Sequence, residues 1–179
     1  MADSDELLDC LQHYQLMQQL RSQSRARVLA QPAGDYARSL FGAQKVNTAR
    51  INQIFDDTDE VLRDLFVVEL AATFERIVFG LAGTAIGAFR KAIDQTPVVT
   101  PFYDFRARFI STTESIGNLG GMREILKDIS VNYERIKAVI EYRDWVAHGK
   151  RFGRKPVIFS IDEAHDDLQT ALRQIRNGR

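Results

Sequence analysis

Three residues late in the chain are of types that move protons and hold phosphates: Arg143, Asp144 and His148, within Tyr142-Arg-Asp-Trp-Val-Ala-His-Gly149. An imidazole exchanges protons near neutral pH. A guanidinium keeps its charge and offers a planar fork of donors to an anion. A carboxylate one helical turn from an imidazole favours its charged form and orients the ring. Together they describe proton transfer beside a bound anion.

The spacing around them predicts a helix over Asn132 to Ala147. Tyr133, Ile136, Val139, Ile140, Val146 and Ala147 form an apolar stripe at intervals of three and four, and Arg143 falls in its middle. An arginine there must either meet an acid or line a cleft that an anion enters. The other face carries Lys137, Glu141, Asp144 and His148. His148 sits in the last turn, where the helix dipole favours a cation, and Gly149 is placed as the residue past the C-cap. Arg143 and His148 are five residues apart, about 140° of rotation in a regular helix. They do not share a face of one ideal helix; the long arginine side chain, a distorted helix end or a second copy of the chain could bring such groups together, and the offset favours the last.

The elements that must position this segment are helical, since strand patterns are nearly absent. A first helix is expected from about Asp5 to Ala30, with Ser4 near its N-cap and Leu7, Leu8, Leu11, Tyr14, Leu16 and Leu20 as its apolar residues. The polar, basic stretch Arg21 to Arg27 reads as solvated helix, and Gln31-Pro-Ala-Gly34 as a break. A second helix is expected over Lys45 to Phe55, then an acidic turn at Asp56 to Glu60. A long helix from about Asp59 to Asp94 follows, with a stripe of Leu62, Leu65, Phe66, Glu69, Leu70, Phe74, Ile77, Val78 and Leu81.

Gly80, Gly83 and Gly87 share one face of that helix and fit no phosphate-loop pattern. Two readings stand for them: close packing within the chain, or a dimer face. Gln95 to Pro101 reads as a linker. Residues 103–115 and 122–130 are expected to be helical on either side of a break at 116–121. A basic loop over 149–156 and a last helix over 162–176 complete an all-α chain read as one domain, 1–179. Its parts are residues 1–34, the core helices of 45–95, and the motif helix, loop and terminal helix of 132–179.

Composition bounds the rest. Hydrophobic residues make up 45% and charged residues 27%, an ordinary globular balance. Lys+Arg and Asp+Glu stand at 24 each, so any nucleic-acid surface has to be local. Cys10 is the single cysteine, which excludes an internal disulfide and a Cys-based zinc site. The acidic start and an apolar run of only thirteen residues, 77–89, point to a cytoplasmic protein outside the membrane. Asp162-Glu-Ala-His165 spells a helicase box, but no Walker loop accompanies it. The acids and His165 there spread around a helix, so helix N-terminal charge is preferred to a metal site. His13 reads as an ordinary surface or core residue.

Arg143-Asp-Trp-Val-Ala-His148 resembles the motif of HEPN domains: Arg, a polar residue, three mostly apolar residues, then His, often followed by Gly. Its place in the penultimate helix, and the long central helix carrying Ala-Thr-Phe-Glu75, are also similar to that family. The resemblance implies a helical bundle that dimerises and brings two motifs into one cleft. It implies a metal-independent endoribonuclease with no cofactor, a toxin of a toxin–antitoxin pair or a phage-defence effector. His148 would then move the proton, Arg143 would bind the phosphate, and Asp144 would orient His148. Attack by the RNA 2′-hydroxyl would leave a 2′,3′-cyclic phosphate and a 5′-hydroxyl. Lys150, Arg151, Arg154 and Lys155 form a basic run that would follow the RNA backbone, or stand as a solvated loop. The expected partners are RNA, a second copy and an antitoxin protein. The competing class is a non-catalytic HEPN-like module that binds RNA, a nucleotide or a protein.

Overall fold

A computed structural model describes residues 2–32, 34–42, 47–95, 126–127, 132–150, 156 and 160–177. Among these, five helices appear and no strand: α1 (Ala2–Ala30), α2 (Asp35–Phe41), α3 (Thr48–Gln95), α4 (Tyr133–Ala147) and α5 (Ile161–Asn177). The all-α expectation holds. Leu126 and Lys127 are also helical. The expected linker beyond Gln95, the helix at 103–115, the break at 116–121 and most of 122–130 lie outside the described residues.

The main difference from expectation is α3. One 48-residue helix replaces the predicted helix, turn and helix. Asn47 starts it by accepting the Arg50 N–H on its Oδ1 at 2.8 Å. The stretch 56–60 does not break the chain for two reasons. Thr58 turns its hydroxyl back to the Ile54 carbonyl at 2.7 Å, which removes it as a cap. Asp56 and Asp59 are taken by Arg25 and Arg21 of α1.

The basic end of α1 is therefore paired rather than merely solvated. Arg25 also donates to Asn52, and Arg27 stacks on Tyr36 of α2, a helix for which the sequence pattern gives no expectation. α1 begins at Ala2, so Ser4, expected near its N-cap, falls inside the helix.

Contacts between α1 and α3 run in opposite senses along the two helices. Glu6 meets Arg76, Cys10 meets Thr73, Tyr14 meets Phe66, and Arg21 meets Asp59. The pair is antiparallel. Beyond α1, α3 touches α4 and α5, and α5 also touches α1 and α4. The main core lies among these four helices around Leu7, Leu70, Phe74, Ile136, Ile140 and Leu168. A satellite core of Val28, Ala37, Ile51 and Phe55 joins α1, α2 and the start of α3.

On α5, Ile161, Ala164, His165, Leu168, Ala171 and Leu172 make the buried stripe. A capping box starts this helix: Ser160 Oγ accepts from the Glu163 N–H at 3.1 Å, and the Ser160 N–H donates to Glu163 Oε2 at 2.9 Å. That exchange holds the Glu163 carboxyl below its ordinary pKa.

Several predicted core residues lie outside the core. Leu8, Leu16 and Leu20 of α1 and Leu65 of α3 are exposed, as is Glu69. A methyl group added at Gly80, Gly83 or Gly87 would meet nothing within 4 Å among the described residues.

Candidate functional site

The buried face of α4 is Ile136, Val139, Ile140 and Tyr142. Ala147, placed in the apolar stripe by sequence, is exposed. The helix runs through Ala147 with His148 as its C-cap. The offset between Arg143 and His148 is therefore that of a regular helix, with Arg143 turned toward α3 and His148 exposed.

Arg143 meets an acid. Its Nη1 donates to Glu75 Oε2 at 2.8 Å and its Nη2 to Glu75 Oε1 at 2.5 Å, a two-pronged pair across α4 and α3. The side chains are 15% and 11% exposed, so water screens them weakly. Asp144 Oδ1 lies 2.9 Å from Arg143 Nε. Burial works against the guanidinium charge, but the hydrogen bonds and charge of Glu75, with Asp144, outweigh it and raise the Arg143 pKa. One cation thus faces two carboxylates, Glu75 and Asp144.

The end of α4 is held by a second cluster. The Gly149 N–H donates to the Val146 carbonyl and the Lys150 N–H to the Trp145 carbonyl, both at 2.9 Å, which is a Schellman ending. Gly149 takes φ +70°, as its predicted role past the C-cap requires. Lys150 follows at φ +59°, the one described non-glycine residue with positive φ.

Lys150 Nζ then lies 2.6 Å from Asp64 Oδ2 and 3.2 Å from Glu60 Oε1, and 5.5 Å from the centre of the Trp145 ring. Tyr142 donates its hydroxyl to the other oxygen of Asp64 at 2.6 Å. Burial first, and then the hydrogen bond to Asp64, push the Tyr142 pKa up. The hydrogen bond to Asp64 likewise raises that of Lys150.

Lys150, expected on the RNA backbone, is thus drawn toward α3. Arg151, Arg154 and Lys155 lie outside the described residues. Sequence reasoning misses Asp64 and Tyr142 as partners of this segment. The signal that could have found them is the buried row of α3, where Asp64 and Glu75 fall with Val67, Ala71, Phe74 and Val78.

The acidic start of α5 does not converge on one point. Asp162 accepts from Gln15, Glu163 closes the capping box, His165 Nδ1 lies 3.1 Å from Asp166, and Asp167 pairs with Arg135. Among the described residues no three His, Cys, Asp or Glu side chains form a metal-binding group, and no helix is long and apolar enough to cross a membrane. No protein-family model, curated protein or solved structure matches this chain.

Proposed function

We propose that this chain is a metal-independent endoribonuclease of the HEPN type, acting as a toxin or a phage-defence effector in the cytoplasm. The observation that carries the reading is the placement of His148. It is an exposed imidazole on a capped helix end, and pairs on both sides of it, Arg143 with Glu75 and Lys150 with Asp64, hold that end to α3. An imidazole so held can take the proton from an RNA 2′-hydroxyl or give one to the departing 5′-oxygen. Attack on phosphorus then yields the 2′,3′-cyclic phosphate. In this reading a second copy completes the site, because Arg143 and His148 stand five residues apart, about 140° of rotation in a regular helix. Arg143 Nη atoms are already on Glu75, so a phosphate reaches them only in competition with that carboxylate.

That same pair favours a second reading, a non-catalytic module in which Arg143 is a positioning residue. Incubation of the purified protein with RNA in EDTA separates the two. The nuclease reading expects cleavage with cyclic phosphate ends, abolished by His148→Ala in a protein whose helical content is unchanged. Intact RNA, or cleavage that survives His148→Ala, overturns it.

A further inference from the structure

Tyr142 stands immediately before Arg143, and Lys150 follows His148 with only Gly149 between them. Both reach the same carboxylate. The Tyr142 hydroxyl donates to Asp64 Oδ1 at 2.6 Å, and Lys150 Nζ lies 2.6 Å from Asp64 Oδ2. The Asp64 side chain is 6% exposed, so water competes weakly for either bond. Arg143, Asp144 and His148 are thus enclosed between two attachments to one side chain of α3.

One attachment would leave the end of α4 free to turn about it. Two attachments, one inside the helix and one beyond its C-cap, do not. Tyr142 is buried and fixes the rotation of the last turns of α4 against α3. Lys150 fixes the direction in which the chain leaves, because its N–H closes the helix end on the Trp145 carbonyl while its ammonium is on Asp64. His148 lies between the two, exposed. The left-handed backbone of Lys150 agrees with this reading. Glycine takes such a φ at little cost, so a lysine there is supported by what its ammonium holds. Glu60 is the weaker anchor: it is farther from the ammonium, at 3.2 Å, and 46% exposed, so solvent screens its pull.

We infer that Asp64 is a positioning residue for His148, acting through Tyr142 and Lys150 at once. A proton-transfer group has to be held to about 0.5 Å of its working position. An exposed ring at a helix end therefore depends on how firmly that end is fastened. The consequence for cleavage rests on the nuclease reading above, whereas the hold of Asp64 on the helix end does not.

Asp64→Asn keeps the shape of the side chain and an acceptor for Tyr142, and removes the charge that draws Lys150. Amide hydrogen exchange followed by NMR should then speed up about tenfold or more at Gly149 and Lys150, whose N–H groups close the helix end, with residues 136–140 unchanged. Tyr142→Phe, which removes the other attachment and keeps the ring, should have the same effect to a smaller degree, and Glu60→Gln should have little. In RNA cleavage Asp64→Asn should lower kcat by about tenfold or more while KM stays as it was. Exchange at Gly149 and Lys150 that is indifferent to both Asp64→Asn and Tyr142→Phe overturns the inference. So does an equal effect from Glu60→Gln, or an unchanged kcat in a variant whose exchange has risen. A wild-type protein that leaves RNA intact sinks the nuclease reading alone, and the exchange rates then decide whether Asp64 holds the His148 end.

Discussion

Lys150 leaves the motif helix with a left-handed backbone, and its ammonium lies 2.6 Å from the carboxylate of buried Asp64. The two facts oppose each other energetically. A left-handed conformation costs an L-residue about 1 kcal/mol or more. The ion pair to Asp64, supported by Glu60 and by the Tyr142 hydroxyl, offsets that cost.

Both Lys150→Ala and Lys150→Gly remove the ammonium, but only glycine also relieves the backbone. Urea unfolding should find both variants destabilised, with Lys150→Gly the more stable by about 1 kcal/mol. Equal stabilities would show that the left-handed turn carries no cost.

Arg143 and Glu75 make a testable energetic unit. Removing one partner of a poorly solvated pair leaves the other charge uncompensated, at about 3 kcal/mol. Glu75→Met and Arg143→Met should each be strongly destabilising, and the double variant should lose far less than their sum. A double-mutant cycle by chemical denaturation measures the coupling, expected at about 2 kcal/mol. Additive losses would mean that the pair contributes nothing as a pair.

Burial raises the Asp167 pKa, against the opposing pull of Arg135 at 2.9 Å, while Glu163 and Asp166 add repulsion. The folded chain thus binds this proton more tightly than the unfolded chain does. Stability contributed at this site falls as pH rises from the unfolded carboxylate value, about 3.9, through the folded one. Above both values the whole cost is in place. Asp167→Asn should raise the urea midpoint at pH 7, by an amount that shrinks as pH approaches 4. A gain that is independent of pH, or a loss at pH 7, would contradict this account.

The helices are legible wherever apolar spacing and capping residues agree. The segments Tyr133–Ala147 and Ile161–Asn177 follow directly from their stripes, and Gly149 from its position after a helix end. The acidic stretch Asp56–Glu60 and the basic stretch Arg21–Arg27 both mislead, for a shared reason. Each looks like a turn or a solvated face by itself, and only their juxtaposition in the antiparallel pair turns them into complementary halves.

The candidate site is legible in part for the same reason. Local spacing picks out Arg143 and His148 and shows that Arg143 must meet an acid or line a cleft that an anion enters. It does not anticipate that Asp144 also lies against Arg143. It also cannot reach Asp64, seventy-eight residues from Tyr142. Long-range partners depend on which helices lie side by side, and periodicity within one helix does not carry that information.

The unbroken α3 has a further consequence. It threads both cores, and the stretch between them is fastened to α1 by Arg21 with Asp59 and Arg25 with Asp56 rather than by apolar packing. Apolar contacts carry no charge for ions to screen, whereas the partly exposed Arg25–Asp56 pair weakens as the Debye length shortens. The α1–α2 corner is thus joined to the body of the protein by two unbroken helices and a clasp of ion pairs, of which the exposed Arg25–Asp56 link loosens as salt rises.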